Sequence, residues 1–161
     1  MLARETVHTS DRRDGLDAAR TLAVTSRVLE RSLDEMTLPQ YRILSLIAGS
    51  PERAGRIASK AAVSRPSLTG ILDGLVKKGW VRRNDVDEDR RGVTLEITAS
   101  GRRALDRATA AVNARLEVVL ANVDGDERQL ALDGLAALGR ALELHLTRDR
   151  ASEPTPAGGR G

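Results

Sequence analysis

Residues 81–98 constrain the fold of this chain more than any other segment. Residues 93–98 alternate between apolar and polar side chains, the two-residue period of a half-buried β-strand, and a second β-prone arm begins at Val81. The acidic turn between the arms ends in Arg90 and Arg91. So short a hairpin must pack against helices to be stable. An arginine at its tip can enter a narrow groove of high negative potential, such as a DNA minor groove.

The segment immediately before this hairpin predicts a helix-turn-helix. We expect a short helix over about 54–61, and Ser64 is a good N-cap for a second helix over 65–78. Pro66 fits the first turn of that second helix, and Gly79 is suited to end it. A helix-turn-helix followed by a hairpin forms a winged helix, so the sequence predicts a lobe that binds duplex DNA.

Further helices with apolar stripes are predicted outside this lobe. One runs from about Leu16 to Asp34, another over about 101–121, and the last ends near Leu146. An intertwined bundle across a two-fold axis would bury these stripes. It would also place two recognition helices about one helical turn (~34–36 Å) apart, as a palindromic site requires. A bundle formed within one chain is the alternative.

These elements divide the chain into five segments and predict a mostly α fold with a short β-hairpin wing. The first fourteen residues lack periodicity and are expected to fray, and the prolines and glycines after residue 146 predict a disordered tail. The predicted segments are a frayed N-terminus (1–14), an N-terminal dimerisation helix (15–36), the winged helix-turn-helix lobe (37–100), C-terminal dimerisation helices (101–146) and the tail (147–161).

Basic residues are concentrated in the middle third of the chain. Residues 53–103 contain twelve Lys or Arg and six Asp or Glu, whereas the remainder has a balance of −3 and the whole chain +3. Such a local cationic excess is typical of a protein that binds nucleic acid. The alternative is a general preference for arginine on solvated faces, since the chain has 23 Arg and 3 Lys.

The composition also argues against several other classes of protein. The absence of cysteine excludes disulfides and thiolate metal sites, and His8 and His145 are expected at the surface. No catalytic motif is found, so we expect neither an enzyme nor a bound cofactor or metal. No apolar run approaches the ~18 residues of a membrane span, which favours a cytoplasmic protein without membrane contact.

An ordered series of segments resembles the MarR (multiple antibiotic resistance regulator) family. TLPQYRIL at 37–44 resembles the start of the family's second helix, and VSRPSLTGILDGL at 63–75 resembles its recognition helix. KKGWVRR at 77–83, DEDRR at 87–91 and LEITASG at 95–101 continue the pattern through the wing. Ala62 stands where the family often has glycine. The resemblance implies a dimeric bacterial transcription regulator, usually a repressor, that is often released from DNA by a small anionic or aromatic ligand.

The candidate DNA-binding residues lie on the predicted recognition helix and hairpin. Hydroxyl and guanidinium groups at the start of the helix can donate to phosphates or base edges. The resemblance places Arg91 at the wing tip with Asp89 orienting its guanidinium, and Arg82 and Arg83 are expected to hold phosphates unless they form exposed pairs on the strand. The predicted set is Ser64, Arg65, Pro66, Ser67, Thr69, Gly70, Asp73, Arg82, Arg83, Asp89, Arg90 and Arg91, with Arg56 and Lys60 as weaker candidates.

The sequence thus predicts a homodimeric, sequence-specific regulator of its own or neighbouring genes that binds a palindromic operator in double-stranded DNA. A winged-helix module that binds protein and not DNA is the alternative. The effector is left open, because Tyr41 and Trp80 are the only aromatic residues and would line a ligand pocket poorly. Arg27 or Arg42 could meet an anionic ligand, but salt bridges along a helix face explain them equally well.

Overall fold

The computed structural model describes residues 3–49, 52–61, 63–85 and 93–152, with side chains over 15–49, 56–58, 61, 63–84 and 94–148. This part of the chain forms six helices and three short strands. In chain order they are α1 (Ala3–Glu30), α2 (Leu38–Gly49), β1 (Glu52–Arg53), α3 (Ala54–Ala61), α4 (Arg65–Lys77), β2 (Val81–Asp85), β3 (Val93–Ile97), α5 (Ala99–Leu120) and α6 (Gly125–Ser152). The predicted class, mostly α with a β-hairpin, is confirmed.

Both terminal helices extend beyond their predicted ranges. Helix α1 begins at Ala3, where a frayed segment was expected, and α6 continues to Ser152, beyond the expected start of a tail at residue 147. Polar residues there conceal the apolar period on which the prediction depended, and neither segment contains a proline that would interrupt a helix. At its other end, α1 stops at Glu30, before the predicted Asp34.

Local capping chemistry sets the limits of α2 and α4, as predicted. Thr37 and Gln40 cap each other: the Gln40 backbone N–H donates to Thr37 Oγ1 (3.3 Å), and the Thr37 N–H donates to Gln40 Oε1 (3.1 Å). Ser64 is the N-cap of α4 and accepts from the Ser67 backbone N–H at 3.3 Å. Gly79 follows α4 with a φ of 68°, a left-handed conformation that glycine adopts without steric cost.

The three strands form one antiparallel sheet in the order β1-β3-β2. In the hairpin, Val81 is opposite Ile97 and Asp85 is opposite Val93, so the predicted arms pair over their full length. The additional strand β1 pairs with β3 on its other side. It was not predicted, because a two-residue strand has no alternation to detect.

One hydrophobic core joins α2, α3, α4, the base of the hairpin and the first half of α5. Its members with the least exposed side chains are Ile43, Leu44, Ile47, Ile57, Leu75 and Leu95. Trp80 and Val81 extend this core under the hairpin. The lobe is therefore a helix-turn-helix closed on one side by the sheet.

Helix α5 starts in close contact with the end of α4. Thr98 caps α5 by accepting from the Gly101 N–H (3.1 Å), while its own N–H donates to the Trp80 carbonyl (3.0 Å). A Cβ added to Gly101 would lie 2.1 Å from that carbonyl oxygen. Only glycine allows this approach, so Gly101 fixes where α5 leaves the lobe.

Outside this core, the apolar stripes of α1, α5 and α6 remain largely exposed in the single chain. Leu22 is 51% exposed, Leu138 39% and Leu142 51%. The other large exposed apolar side chains are Leu16, Val24, Val118, Val119, Val123, Leu130, Leu135 and Leu144. Within the described ranges, no helix combines the length and apolarity that crossing a membrane would require.

Candidate nucleic-acid interface

Helix α4 presents one exposed face, which makes it the candidate recognition helix. Leu68, Leu72 and Leu75 anchor its opposite side in the core. The structure places all the predicted recognition-helix residues on the exposed side: Ser64, Arg65, Pro66, Ser67, Thr69, Gly70 and Asp73. A helix held in this way can enter a major groove without disturbing its packing.

The first turn of α4 carries hydrogen-bonding groups and a positive charge. The Ser64 and Ser67 hydroxyls lie 2.8 Å apart, and Thr69 Oγ1 donates to the Arg65 carbonyl at 3.1 Å. Arg65 is exposed and makes no ion pair with any described side chain. With the partial positive charge of the helix N-terminus, this turn is suited to phosphate oxygens.

The two glycines of α4 have different surroundings. Gly70 is exposed, and an added Cβ would meet nothing within 4 Å. At Gly74 the added atom would lie 3.1 Å from the Gln40 side chain of α2. Packing within the chain therefore accounts for a small residue at Gly74 but not at Gly70.

A cluster of polar side chains braces the base of the hairpin. Arg82 lies directly across from Glu96 and donates to Glu96 Oε2 from Nε (3.1 Å) and Nη2 (2.8 Å), and Asn84 Nδ2 donates to the same oxygen at 2.7 Å. The hydrogen bonds from Arg82 and Asn84 hold the pKa of Glu96 below its ordinary value. The cluster favours a charged Glu96 and a fixed hairpin base.

Arg83 points to the other side of β2 and pairs with the candidate recognition helix. Its Nη2 donates to Asp73 Oδ1 at 2.6 Å, and both side chains are exposed. The two arginines predicted to hold phosphates thus both have carboxylate partners in the chain. The Arg82–Glu96 pair is the exposed pair on the strand that the sequence left open, whereas the partner of Arg83 lies on α4.

The predicted wing-tip residues Asp89, Arg90 and Arg91 lie outside the described residues, as does Ala62. The side chain of Lys60 also lies outside them, whereas Arg56 is exposed.

Three basic side chains donate to distant backbone carbonyls in the lobe, contacts that the sequence did not predict. Arg42 donates to the Ala61 carbonyl at the end of α3 (3.2 Å), and Arg102 donates to the Ala48 carbonyl near the end of α2 (3.1 Å). Lys78, which follows α4, donates to the Glu35 carbonyl and lies 4.4 Å from the centre of the Trp80 ring. Cations are favourable at helix C-termini, but no local sequence pattern identifies such distant partners.

A small cavity lies between α5 and the connection from α1 to α2. It has a volume of about 110 Å³ and is lined by Ser32, Leu33, Asp34, Glu35, Met36, Ala104, Arg107, Ala108 and Ala111. Among the described lining residues, Arg107 is the only cationic one, and it pairs with Glu35 at 2.7 Å. Among the described side chains, no three His, Cys, Asp or Glu are grouped so as to hold a metal ion.

Comparisons with known proteins agree with this geometry. The MarR family model matches residues 36–93. The uncharacterized HTH-type transcriptional regulator YfiV of Bacillus subtilis is 32% identical over 110 residues, which cover 68% of this chain and 69% of that relative.

Solved structures agree with these sequence matches. The transcriptional repressor CouR bound to a 23-mer DNA duplex has a TM-score of 0.67 at 28% identity, covering 78% of this chain and 91% of that one. A MarR family protein of Mycobacterium tuberculosis in complex with p-aminosalicylic acid has a TM-score of 0.65 at 27% identity, covering 78% and 97%.

The resemblance predicted from residues 37–101 is therefore confirmed. Regulators of this family bind DNA and are not enzymes, in agreement with the lack of a catalytic motif in the sequence. The chain belongs to the MarR family of transcriptional regulators.

Proposed function

We propose that this protein is a homodimeric repressor that acts in the cytoplasm on its own or neighbouring genes by binding a palindromic operator. The observation that carries the proposal is the exposed face of α4, with Arg65 unpaired among the described side chains at its N-terminus. Hydroxyls, a free guanidinium and an open backbone at Gly70 meet on that face. These are groups that contact phosphates and base edges in a major groove.

The proposed wing contacts complete the interface. The Arg83–Asp73 pair keeps the hairpin base next to α4 and the Arg82–Glu96 pair braces the hairpin itself, so that a tip carrying Arg90 and Arg91 would follow the adjacent minor groove. Asp89 is proposed to orient the Arg91 guanidinium. Sequence specificity would then come from α4, and the wing would add affinity and register.

The proposed dimer is supported by the apolar faces of α1, α5 and α6. Burial within one chain, the alternative, would cover these faces, yet Leu22, Leu138 and Leu142 are each at least 39% exposed. A second copy of the chain would remove this apolar surface from water. Two-fold symmetry would also present two α4 helices to the two halves of a palindrome.

The proposed effector site is the cavity beside Arg107. The related Mycobacterium tuberculosis protein was solved with p-aminosalicylic acid, a small carboxylate. In this chain a small anion would find the Arg107 guanidinium there, although Glu35 already pairs with it. The proposed release of DNA would then require the ligand to compete with Glu35.

Selection of duplexes from a randomised pool tests this function. The full-length protein should enrich a palindrome with half-sites about one helical turn (~10 base pairs) apart. An enriched single half-site would contradict the dimeric arrangement, and no enrichment would contradict sequence-specific binding.

The alternative function is a winged-helix module that binds protein and not DNA. The pairing of both Arg82 and Arg83 with carboxylates favours it, because it reduces the free positive charge beside α4. The same selection distinguishes the two functions, since a protein-binding module should enrich no duplex.

A further inference from the structure

Glu35 contacts α5 and the end of α4, both of which are distant from it in the sequence. It lies in the short connection between α1 and α2, and its carboxylate accepts from Arg107 Nη2 of α5 at 2.7 Å. Its backbone carbonyl accepts from the Lys78 ammonium group at the end of α4. One residue therefore contacts both the candidate recognition helix and the long helix that leaves the lobe.

The position of Lys78 is restricted from two directions. Its ammonium group lies over the ring of Trp80, which is only 9% exposed and belongs to the core. The second restriction is the Glu35 carbonyl. Because Lys78 is the C-cap residue of α4, this hydrogen bond links Glu35 to the end of that helix.

Arg107 of α5 is the second residue that Glu35 contacts. Helix α5 is buried at Ala104, Leu105 and Ala108 and then continues to the exposed Val118 and Val119, which we assign to the proposed dimer bundle. Arg107 lies within the first of these parts, with its side chain exposed. The ion pair thus joins the connection between α1 and α2 to a helix that would form part of the dimer interface.

We infer that Glu35 is a positioning residue that sets the orientation of α4 relative to α5, and hence the spacing between the two α4 helices of a dimer. This inference rests on the proposed function, because spacing matters only to a dimer on two half-sites. Arg107 and Glu35 are 60% and 54% exposed, and exposed ion pairs contribute little to folding stability. The loss of the pair should therefore affect half-site spacing much more than melting.

Operator spacing provides the decisive test. The duplex selected by the wild-type protein is compared with versions that have one base pair inserted or removed between the half-sites. The quantity measured is the affinity for the selected duplex divided by the affinity for a duplex with altered spacing. These duplexes offer nearly equivalent phosphates, so this affinity ratio is insensitive to general electrostatic attraction. Glu35→Gln should lower this ratio by about two- to fivefold, the range that corresponds to an exposed ion pair.

Three further variants test whether the contacts of Glu35 with Lys78 and with Arg107 act in series or independently. Lys78→Met keeps the length of the side chain and should lower the ratio similarly. The double variant Glu35→Gln/Lys78→Met should be no worse than either single variant, because breaking one link already uncouples the helices. The charge-swapped pair Glu35→Arg/Arg107→Glu should restore the discrimination.

Glu30→Gln is the matched control. It makes the same substitution at an exposed glutamate at the end of α1, away from the residues that line the cavity. Its affinity ratio should equal that of the wild type. If Glu35→Gln keeps the wild-type ratio, or if Glu30→Gln lowers it equally, the positioning role is wrong.

Fluorescence tests the connection without DNA, since Trp80 is the only tryptophan. Glu35→Gln should change its emission in the same direction as Lys78→Met, because a shift of the Glu35 backbone carbonyl would displace the ammonium group from the ring and Lys78→Met removes that group. A Glu35→Gln spectrum identical to that of the wild type would contradict the connection. If the wild-type protein selects no duplex, the proposed function fails, and this spectrum still decides whether Glu35 restrains Lys78.

Discussion

Arg83 of β2 donates a 2.6 Å hydrogen bond to the carboxylate of Asp73 in α4. This contact fastens the base of the hairpin to the helix that carries the exposed polar face. It also pairs the Arg83 guanidinium with a carboxylate, and without this partner the guanidinium would attract any phosphate. We infer that the pair restrains nonspecific binding while it holds the hairpin in place.

Asp73→Asn should therefore increase nonspecific DNA binding. Release of Arg83 adds about one phosphate contact, so the slope of log K against log salt should steepen by about 0.9 for a scrambled duplex. Asp106→Asn removes the same charge from an exposed position on α5 and is the control. Equal slopes for the two variants in anisotropy titrations would show that Asp73 does not restrain Arg83.

Arg91→Ala should weaken operator binding by about tenfold, within the range expected for an arginine that contacts DNA specifically. Melting temperature and dimerisation should be unchanged, because the proposed role of Arg91 is to contact DNA. Arg103→Ala, at an exposed arginine of α5, controls for the loss of one positive charge. The wing role is refuted if Arg91→Ala binds the operator as tightly as the wild type.

Leu138→Asp should split or unfold the dimer, because it places a charge on the proposed apolar interface of α6. Analytical ultracentrifugation measures the outcome. Ala136→Asp lies two residues earlier, on the other side of the helix, and should remain dimeric. A soluble Leu138→Asp protein that is fully dimeric would show that this face lies outside the interface.

Gly101→Ala should destabilise the fold by about 1–3 kcal/mol, the usual cost of overpacking a tight site. The added methyl group would lie 2.1 Å from the Trp80 carbonyl oxygen, so the backbone must move. Gly49→Ala, where nothing lies within 4 Å, should be neutral or slightly stabilising. Urea unfolding of both variants tests this difference, and equal stabilities would contradict the close contact.

Glu96 should make part of the stability depend on pH. Its folded pKa lies below its ordinary value of 4.5, chiefly because Arg82 and Asn84 donate to the carboxylate. A depressed pKa stabilises the folded state above the ordinary pKa, and this contribution is lost as the pH falls through the folded pKa. The stability difference between wild type and Glu96→Gln should therefore shrink on acidification.

Thermal melts of both proteins, from neutral pH to below the folded pKa, measure this change. Glu30→Gln serves as the control at an exposed carboxylate. A difference between wild type and Glu96→Gln that is constant with pH would contradict the effect of the Arg82 and Asn84 hydrogen bonds.

The winged helix could be predicted from the sequence because its limits depend on local chemistry. The Ser64 cap and the left-handed Gly79 act within a few residues of the helix they bound, and the alternation in β3 is visible in five residues. The exposed side of α4 follows from the same helical period that buries Leu68 and Leu72.

Contacts between distant segments could not be predicted in this way. Lys78 and Glu35 are 43 residues apart, and the pairing of Arg83 with Asp73 depends on the angle between a strand and a helix. The polar first half of α1 has no apolar period, so its helix was missed. In each case the missing information is tertiary geometry or the mere absence of helix breakers, neither of which leaves a periodic pattern.

The most direct test of the proposed function is fluorescence anisotropy with a duplex from the gene's own upstream region, titrated across salt and repeated with a scrambled duplex. We predict tight binding to the native duplex that weakens log-linearly with salt, and binding to the scrambled duplex at least about a thousandfold weaker. Equal, weak binding to both duplexes would contradict autoregulation through sequence-specific recognition and leave only a generic basic surface.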